Sequence, residues 1–347
     1  MGPGTAAPAA TPPRRPGSLR RTTSHDCTRT AGLDGPVVTQ ARGRDLLTGT
    51  DGATETLAVA EVTVTAGFAD GRIREIRADP DIPDLAELVG STALSGFRQA
   101  AGEAAPGEKA GHSVAFQLLD DLPITLLLSG RVLRAAGIGL GDPKRTLPVD
   151  ICAGWVADGT LLRGFTDLGP PLSDGPPAPH LATEDDPVGW HEMPSSGPRS
   201  TSRRRRIDLW VDASSATVMS WFRDSHTDAE GNERIVHEYA VRAVIDRGSR
   251  EFLAVAAEPG PLPYPECPSA AASAASLAGT PLAGLRDRVS TDFTGSSTCT
   301  HLNDALRSLE GIGPLLDTLE RHDVSSATPA AERRQHGSEP HDPEARR

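Results

Sequence analysis

The sequence predicts an α+β fold made of two related units, each an antiparallel β-meander with helices packed on one face. Three observations predict it. The chain has 347 residues, room for two domains at ~100–200 residues apiece. Ile207, Leu209 and Val211 alternate with Asp208, Trp210 and Asp212, the period-2 pattern of a half-buried strand. The two halves then pass through the same series of elements in the same order, which predicts a tandem duplication.

Residues 1–18 are rich in Pro and Ala and read as a disordered tail. The first unit, residues 19–140, opens with Arg20-Arg21 and a strand. Alternating Glu61-Val62-Thr63-Val64-Thr65-Ala66 follows, with a turn at Asp70-Gly71, then Gly90-Ser91-Thr92 and a closing helix through Phe116-Gln117-Leu118-Leu119-Asp120-Asp121. Gly137-Ile138-Gly139-Leu140-Gly141 lacks the Lys-Ser/Thr of a phosphate loop and reads as a helix stop. Residues 141–202, with Gly169-Pro170-Pro171 and Gly175-Pro176-Pro177, read as linker. The second unit, residues 203–322, repeats the series. Arg205-Arg206 opens it, Glu238-Tyr239-Ala240-Val241-Arg242-Ala243 alternates before a turn near Gly248, Gly279-Thr280 follows, and Leu302-Asn303-Asp304-Ala305-Leu306 forms a closing helix. Residues 323–347 read as a second disordered tail. Two such copies are expected to pack as an intramolecular pseudo-dimer; the sequence names no protein partner.

A net charge of −12 argues against nucleic acid as a partner. Arg203-Arg204-Arg205-Arg206 is expected to be a solvated strand edge, and the pairs Asp120-Asp121 and Asp185-Asp186 solvated or capping. The most apolar stretch, residues 122–128, is far short of the ~20 residues that span a membrane. Four cysteines in a chain this long do not form a disulfide framework. With no signal segment at the N-terminus, the expectation is a cytoplasmic protein with neither membrane nor nucleic-acid partner.

Chemistry-bearing residues concentrate in the second unit. His237, Cys267, Cys299 and His301 are the candidate metal ligands. Cys267 precedes Pro268 and an Ala/Ser-rich helix, and Cys299 precedes a helix that Thr298 or Thr300 would cap. Both thiols thus face helix N-termini, where the dipole favours the thiolate. His237 shares a strand face with Ile235, Tyr239, Val241, Ala243 and Ile245, so its imidazole should point inward, toward the helices that carry the cysteines. Two thiolates and two imidazoles suit tetrahedral zinc or a mixed-ligand iron–sulfur cluster. The first unit lacks these residues: Ala60 stands near the place of His237, and His112-Ser113-Val114 near that of Cys299-Thr300-His301. A second reading is a thiol-dependent enzyme using Cys299 or Cys267 as nucleophile with His237 as base, although no Asp or Asn is clearly placed to orient that base. A third is a non-catalytic binding protein without metal, its His and Cys packed as core. Cys27 and Cys152 read as packing residues.

On Arg204-Arg205-Arg206-Ile207-Asp208, His237-Glu238, Pro263-Tyr264-Pro265-Glu266-Cys267 and Cys299-Thr300-His301-Leu302, the second unit resembles an uncharacterised bacterial family, domain of unknown function 2889. That resemblance implies a shape and a site, and no activity. The order of strand-start ligand, hairpin, Cys before a small-residue helix and a final Cys/His pair is also similar to the IscU/NifU-type iron–sulfur scaffold. There the likeness implies a cluster held by His237, Cys267, Cys299 and His301. This chain departs from that scaffold in its first ligand, a His, and in its spaced Cys-x-His pair.

Overall fold

Eight strands lie in one antiparallel sheet: β1 (Ser18–Thr28), β2 (Val37–Thr48), β3 (Thr54–Ala66), β4 (Ile73–Asp79), β5 (Ser200–Val211), β6 (Ser215–Thr227), β7 (Glu233–Asp246) and β8 (Phe252–Pro259). Their order is β4-β3-β2-β1-β5-β6-β7-β8. Each half is thus a meander, as short turns between alternating strands dictate. The two join where β1 pairs β5, with Ser18 opposite Trp210 and Cys27 opposite Thr201. The computed structural model describes residues 6–67, 70–139, 148–173 and 175–327. Leu140 and Gly141, the start of the expected linker, residues 1–5 of the first expected tail and residues 328–347 of the second lie outside them.

Helices follow each meander: α1 (Phe97–Ala104), α2 (Pro106–Gly111) and α3 (Val114–Ala135) after the first, α5 (Leu285–Asp292), α6 (Thr300–Ser308) and α7 (Ile312–Ala327) after the second. A tight 3-10 turn precedes each set, Pro83–Leu88 and Cys267–Leu277. The α+β class and the helices on one face therefore match the reading of the sequence, and the same element order runs through both halves. Gly96 and Gly284 occupy corresponding places, each in the left-handed region (φ 79° and 74°) directly before a helix, a conformation that favours glycine.

Apolar residues build two separate cores under the helices. Val62, Val64, Ile73, Phe97, Leu118 and Leu119 fill one; Leu209, Val218, Phe222, Val241, Leu302 and Leu316 fill the other. Between them, at the β1–β5 seam, the packing is ionic, and two expectations fail there. The arginines at 203–206 are not a solvated edge, because β5 is a central strand: Arg203 and Arg205 are buried against the helices. Asp120 and Asp121 are likewise buried. Arg205 donates to both Asp121 oxygens at 2.8 and 2.9 Å, and Arg203 to both Asp224 oxygens at 2.7 and 3.1 Å. Arg286 pairs with Asp120. Buried charges persist only when paired and hydrogen-bonded, so each arginine requires its aspartate.

The opposite face of the sheet has a cover of its own, made by chain expected to be loose. The expected linker divides between the faces: α4 (Thr160–Arg163) and a 3-10 turn, Ala153–Trp155, are ordered on the helix side, where Ala153 joins the second core, and the chain after residue 175 lies on the opposite face. Trp190 packs on Trp221 with ring centroids 6.0 Å apart. His191 bridges Thr22 and Ser24 at 2.9 and 2.8 Å. Asp186, expected to be solvated, is buried and holds Arg14 and Arg20. Residues 6–17 run beside it, with the Ala9 N–H donating to Glu238 at 2.6 Å. The physical reason is that this sheet face is polar: Arg20, Asp26, Arg204 and Arg223 need partners, and the strap supplies carboxylates, hydroxyls and carbonyls. Among the described residues no helix is long and apolar enough to cross a membrane.

Candidate functional site

The strand β7 places His237 on the helix-facing side with Tyr239, Val241, Ala243 and Ile245, all four fully buried, as the alternation requires. Near its start the ladder shifts register between Asp224 and Ser225, and His237 comes directly opposite Asp224 on β6. Its Nδ1 lies 3.3 Å from Asp224 Oδ2, close enough for pairing but off line for a hydrogen bond. At the second position of α6, His301 stacks on His237, with ring centroids 3.7 Å apart and planes 24° apart.

Among the described residues, Asp224, His237 and His301 are the group whose donor atoms all lie within 4.8 Å of one another, close enough to share an ion. Two of the four sequence-derived ligands are therefore brought together, and they gain a carboxylate. Burial pushes both imidazoles below their ordinary pKa, His301 furthest and with a further push from His237, so both are neutral near pH 7 with a lone pair available. Burial alone would raise the Asp224 carboxyl, but the Arg203 guanidinium and His237 together outweigh it and hold the group ionised, well below the usual carboxylate range.

Cys267 and Cys299 lie elsewhere, in the apolar core around Tyr239. The Tyr239 hydroxyl donates to the Cys267 carbonyl at 3.0 Å. Cys152 joins them: a Cβ on Gly154 would sit 2.9 Å from Cys267 Sγ and 4.0 Å from Cys152 Sγ. Both expected helix-start positions are occupied, Cys299 as the residue capping α6 and Cys267 as the first residue of the 3-10 turn. The dipole does not prevail there. Burial, with the neighbouring thiols, pushes Cys267 up to about 12 and Cys299 to about 11, so both are protonated thiols with 6 % and 5 % exposure. Cys27 is buried on β1 beside Thr39, at 3.3 Å.

The two histidines form the floor of a cleft of about 580 Å³, within the ~300–1,000 Å³ range of small-molecule sites. One wall is the α3 stripe Ile124, Leu127, Leu128, Arg131 and Arg134; the facing wall is the α6 stripe Thr300, Asp304 and Arg307, each at helical i, i+3/i+4 spacing. Trp155 and Leu161, from the segment expected to be linker, close a third side. Sequence reasoning missed Asp224, whose only signal was its place on a strand adjacent to that of His237. Asp304, on the closing helix, pairs with Arg98, Arg203 and Arg307, which no local pattern signalled.

Residues 201–313 match the model of a family described as a protein of unknown function, DUF2889. The match covers β5 to α6 and both histidines. No curated protein and no solved structure matches the chain.

Proposed function

We propose that this protein binds a divalent transition metal through His237, His301 and Asp224, at the floor of a cleft that receives a small molecule. The observation that carries the reading is the convergence of two neutral imidazoles and an ionised carboxylate within 4.8 Å, with both imidazoles lining that cleft. Two His and one carboxylate leave coordination positions open, the composition of catalytic zinc and non-haem iron sites. An imidazole ligates through a lone pair in its ring plane. With planes only 24° apart, His237 and His301 cannot both aim at one ion, so binding must turn one ring out of the stack. Asp224 would offer Oδ2 and keep Oδ1 on Arg203, its closer contact at 2.7 Å. A bound ion would supply Lewis acidity at the cleft floor.

The protonated, buried thiols favour this donor set over the Cys/His set and over an iron–sulfur cluster. They also weigh against Cys299 or Cys267 as nucleophile. A metal-free second reading has its own observation: Asp224 stands beside His237 Nδ1, the position of a carboxylate that orients a general base. The repeated element order and the β1–β5 seam support a duplicated chain folded as a pseudo-dimer.

Equilibrium dialysis of the full chain against Zn²⁺, Co²⁺ or Fe²⁺, beside His301→Ala and Cys299→Ser, tests the proposal. One equivalent bound by wild type and Cys299→Ser and lost in His301→Ala is the expected result. No binding above background in wild type would leave the metal-free base as the reading of the site.

A further inference from the structure

The charge lining the cleft is opposite to that of the protein. Four arginines, Arg98, Arg131, Arg134 and Arg307, line it with one carboxylate, Asp304, beside Asp224 behind His237 and with Arg98 also paired to Asp120, in a chain whose net charge is −12. Asp304 is already shared by Arg98, Arg203 and Arg307. Arg134 is half-buried, its NH1 donates to the Pro170 carbonyl at 3.0 Å and its Nε has no partner. Among the described residues no carboxylate pairs with it. Among the described residues this half-buried guanidinium is held by a neutral carbonyl, a costly state, and an anion entering the cleft would offset that cost with a charge-assisted bond.

The rest of the lining is apolar and ordered along one helix. On α3, Ile124, Leu127 and Leu128 come first and Arg131 and Arg134 follow, all facing the cleft, so one wall grades from apolar to cationic over roughly 15 Å. Leu127 is 62 % exposed, an unusual position for a leucine on a wall otherwise suited to burial. Trp155 and Leu161 face the same space from across the cleft.

We infer that the cleft binds an amphipathic anion, an acidic head of carboxylate or phosphate type on an unbranched apolar body, the head at Arg131 and Arg134 and the body along Ile124, Leu127 and Leu128. This deepens the reading of the cleft as the functional site and identifies the class of molecule presented to the His237–His301 floor. It does not require the metal.

The test is calorimetric titration of the full chain with decanoate, decyl phosphate, decanol and inorganic phosphate, each in chelator and again with Zn²⁺. Decanoate or decyl phosphate should bind one to one in chelator, whichever is tighter defining the head group. Decanol and inorganic phosphate should each bind at least tenfold more weakly. Leu127→Glu, a change at an exposed position that leaves the fold intact, and Arg134→Gln should each weaken the amphiphile at least tenfold. Decanol binding as tightly as decanoate, inorganic phosphate as tightly as decyl phosphate, or no binding of either amphiphile would overturn the inference. Amphiphile binding in chelator without any zinc uptake would sink the metal reading alone, and zinc uptake without amphiphile binding this one alone.

Discussion

Replacing Arg203 by Met should be among the most damaging single changes in this protein. Arg203 is fully buried, donates to both oxygens of Asp224 at 2.7 and 3.1 Å, and lies 3.4 Å from Asp121 and 3.5 Å from Asp304. Removing one partner of a buried pair leaves an uncompensated charge and costs ~3–5 kcal/mol. With a urea m-value near ~3 kcal/mol/M, that is a fall of about 1–1.7 M in the unfolding midpoint. The assay is equilibrium urea unfolding followed by far-ultraviolet circular dichroism. Two controls make it specific. Arg74→Met breaks an exposed pair with Asp70 and should leave the midpoint in place, as surface pairs generally do. Arg203→Met combined with Asp224→Leu should regain part of the loss, because the Asp224 carboxylate, the closest partner of Arg203, is then no longer left opposite an apolar side chain. A midpoint for Arg203→Met indistinguishable from that of Arg74→Met would refute the argument that the ionic seam joins the two cores.

Stability should also fall on acidification in two stages. Burial, reinforced by Arg204 and Arg44, depresses His191 to about 3, and burial with Arg131 depresses His226 to about 4. Their contribution is therefore complete above the unfolded imidazole pKa of ~6.5 and is lost as pH falls toward those values. His191→Gln should flatten the urea-midpoint profile between pH 6.5 and 4.5, and an unchanged slope there would count against the assignment. Asp121 and Asp224, held low by arginines against their burial, add a second loss below the ordinary carboxylate range, so the steepest decline is expected below pH 4. Native protein at pH 8 should leave Cys267 and Cys299 unreacted with a thiol reagent that labels them in urea; fast native labelling would return the thiol-enzyme reading. Gly175→Ala would place a Cβ 1.8 Å from the Ile235 carbonyl oxygen, where the strap docks on β7 through Pro176 and Ala178. It should open residues 167–199 to limited proteolysis at a cost of ~1–3 kcal/mol.

Much of the fold was legible because its signals are local. Period-2 alternation in Glu61-Val62-Thr63-Val64 and in Tyr239-Ala240-Val241-Arg242 gave the strands of both halves, and the inward direction of His237 followed from its strand neighbours. Register was not legible. That Asp224 faces His237 depends on a shift in the β6–β7 ladder, and that Arg205 meets Asp121 depends on how α3 crosses the sheet. No local pattern encodes either. The same gap explains Arg203-Arg204-Arg205-Arg206: four arginines look like a solvated edge until β1 is known to pair β5 and to make that strand central. The Pro/Gly-rich stretch around 167–199 was misread for a related reason. Its composition permits a loop, and only the charges on the uncovered sheet face dictate that it must lie down. The cysteines were correctly placed at helix starts, but their burial, which decides their protonation, depends on tertiary packing around Tyr239.

The absorption spectrum of the full chain titrated with Co²⁺ under anaerobic conditions tests the central claim most directly, because it reports both whether an ion binds and which atoms hold it. Ligation by His237, His301 and Asp224 predicts weak visible d–d bands that saturate at one equivalent, no intense sulfur-to-metal charge-transfer band, and loss of the signal in His301→Ala. An intense charge-transfer band removed by Cys299→Ser, or a titration without any spectral change, would contradict it.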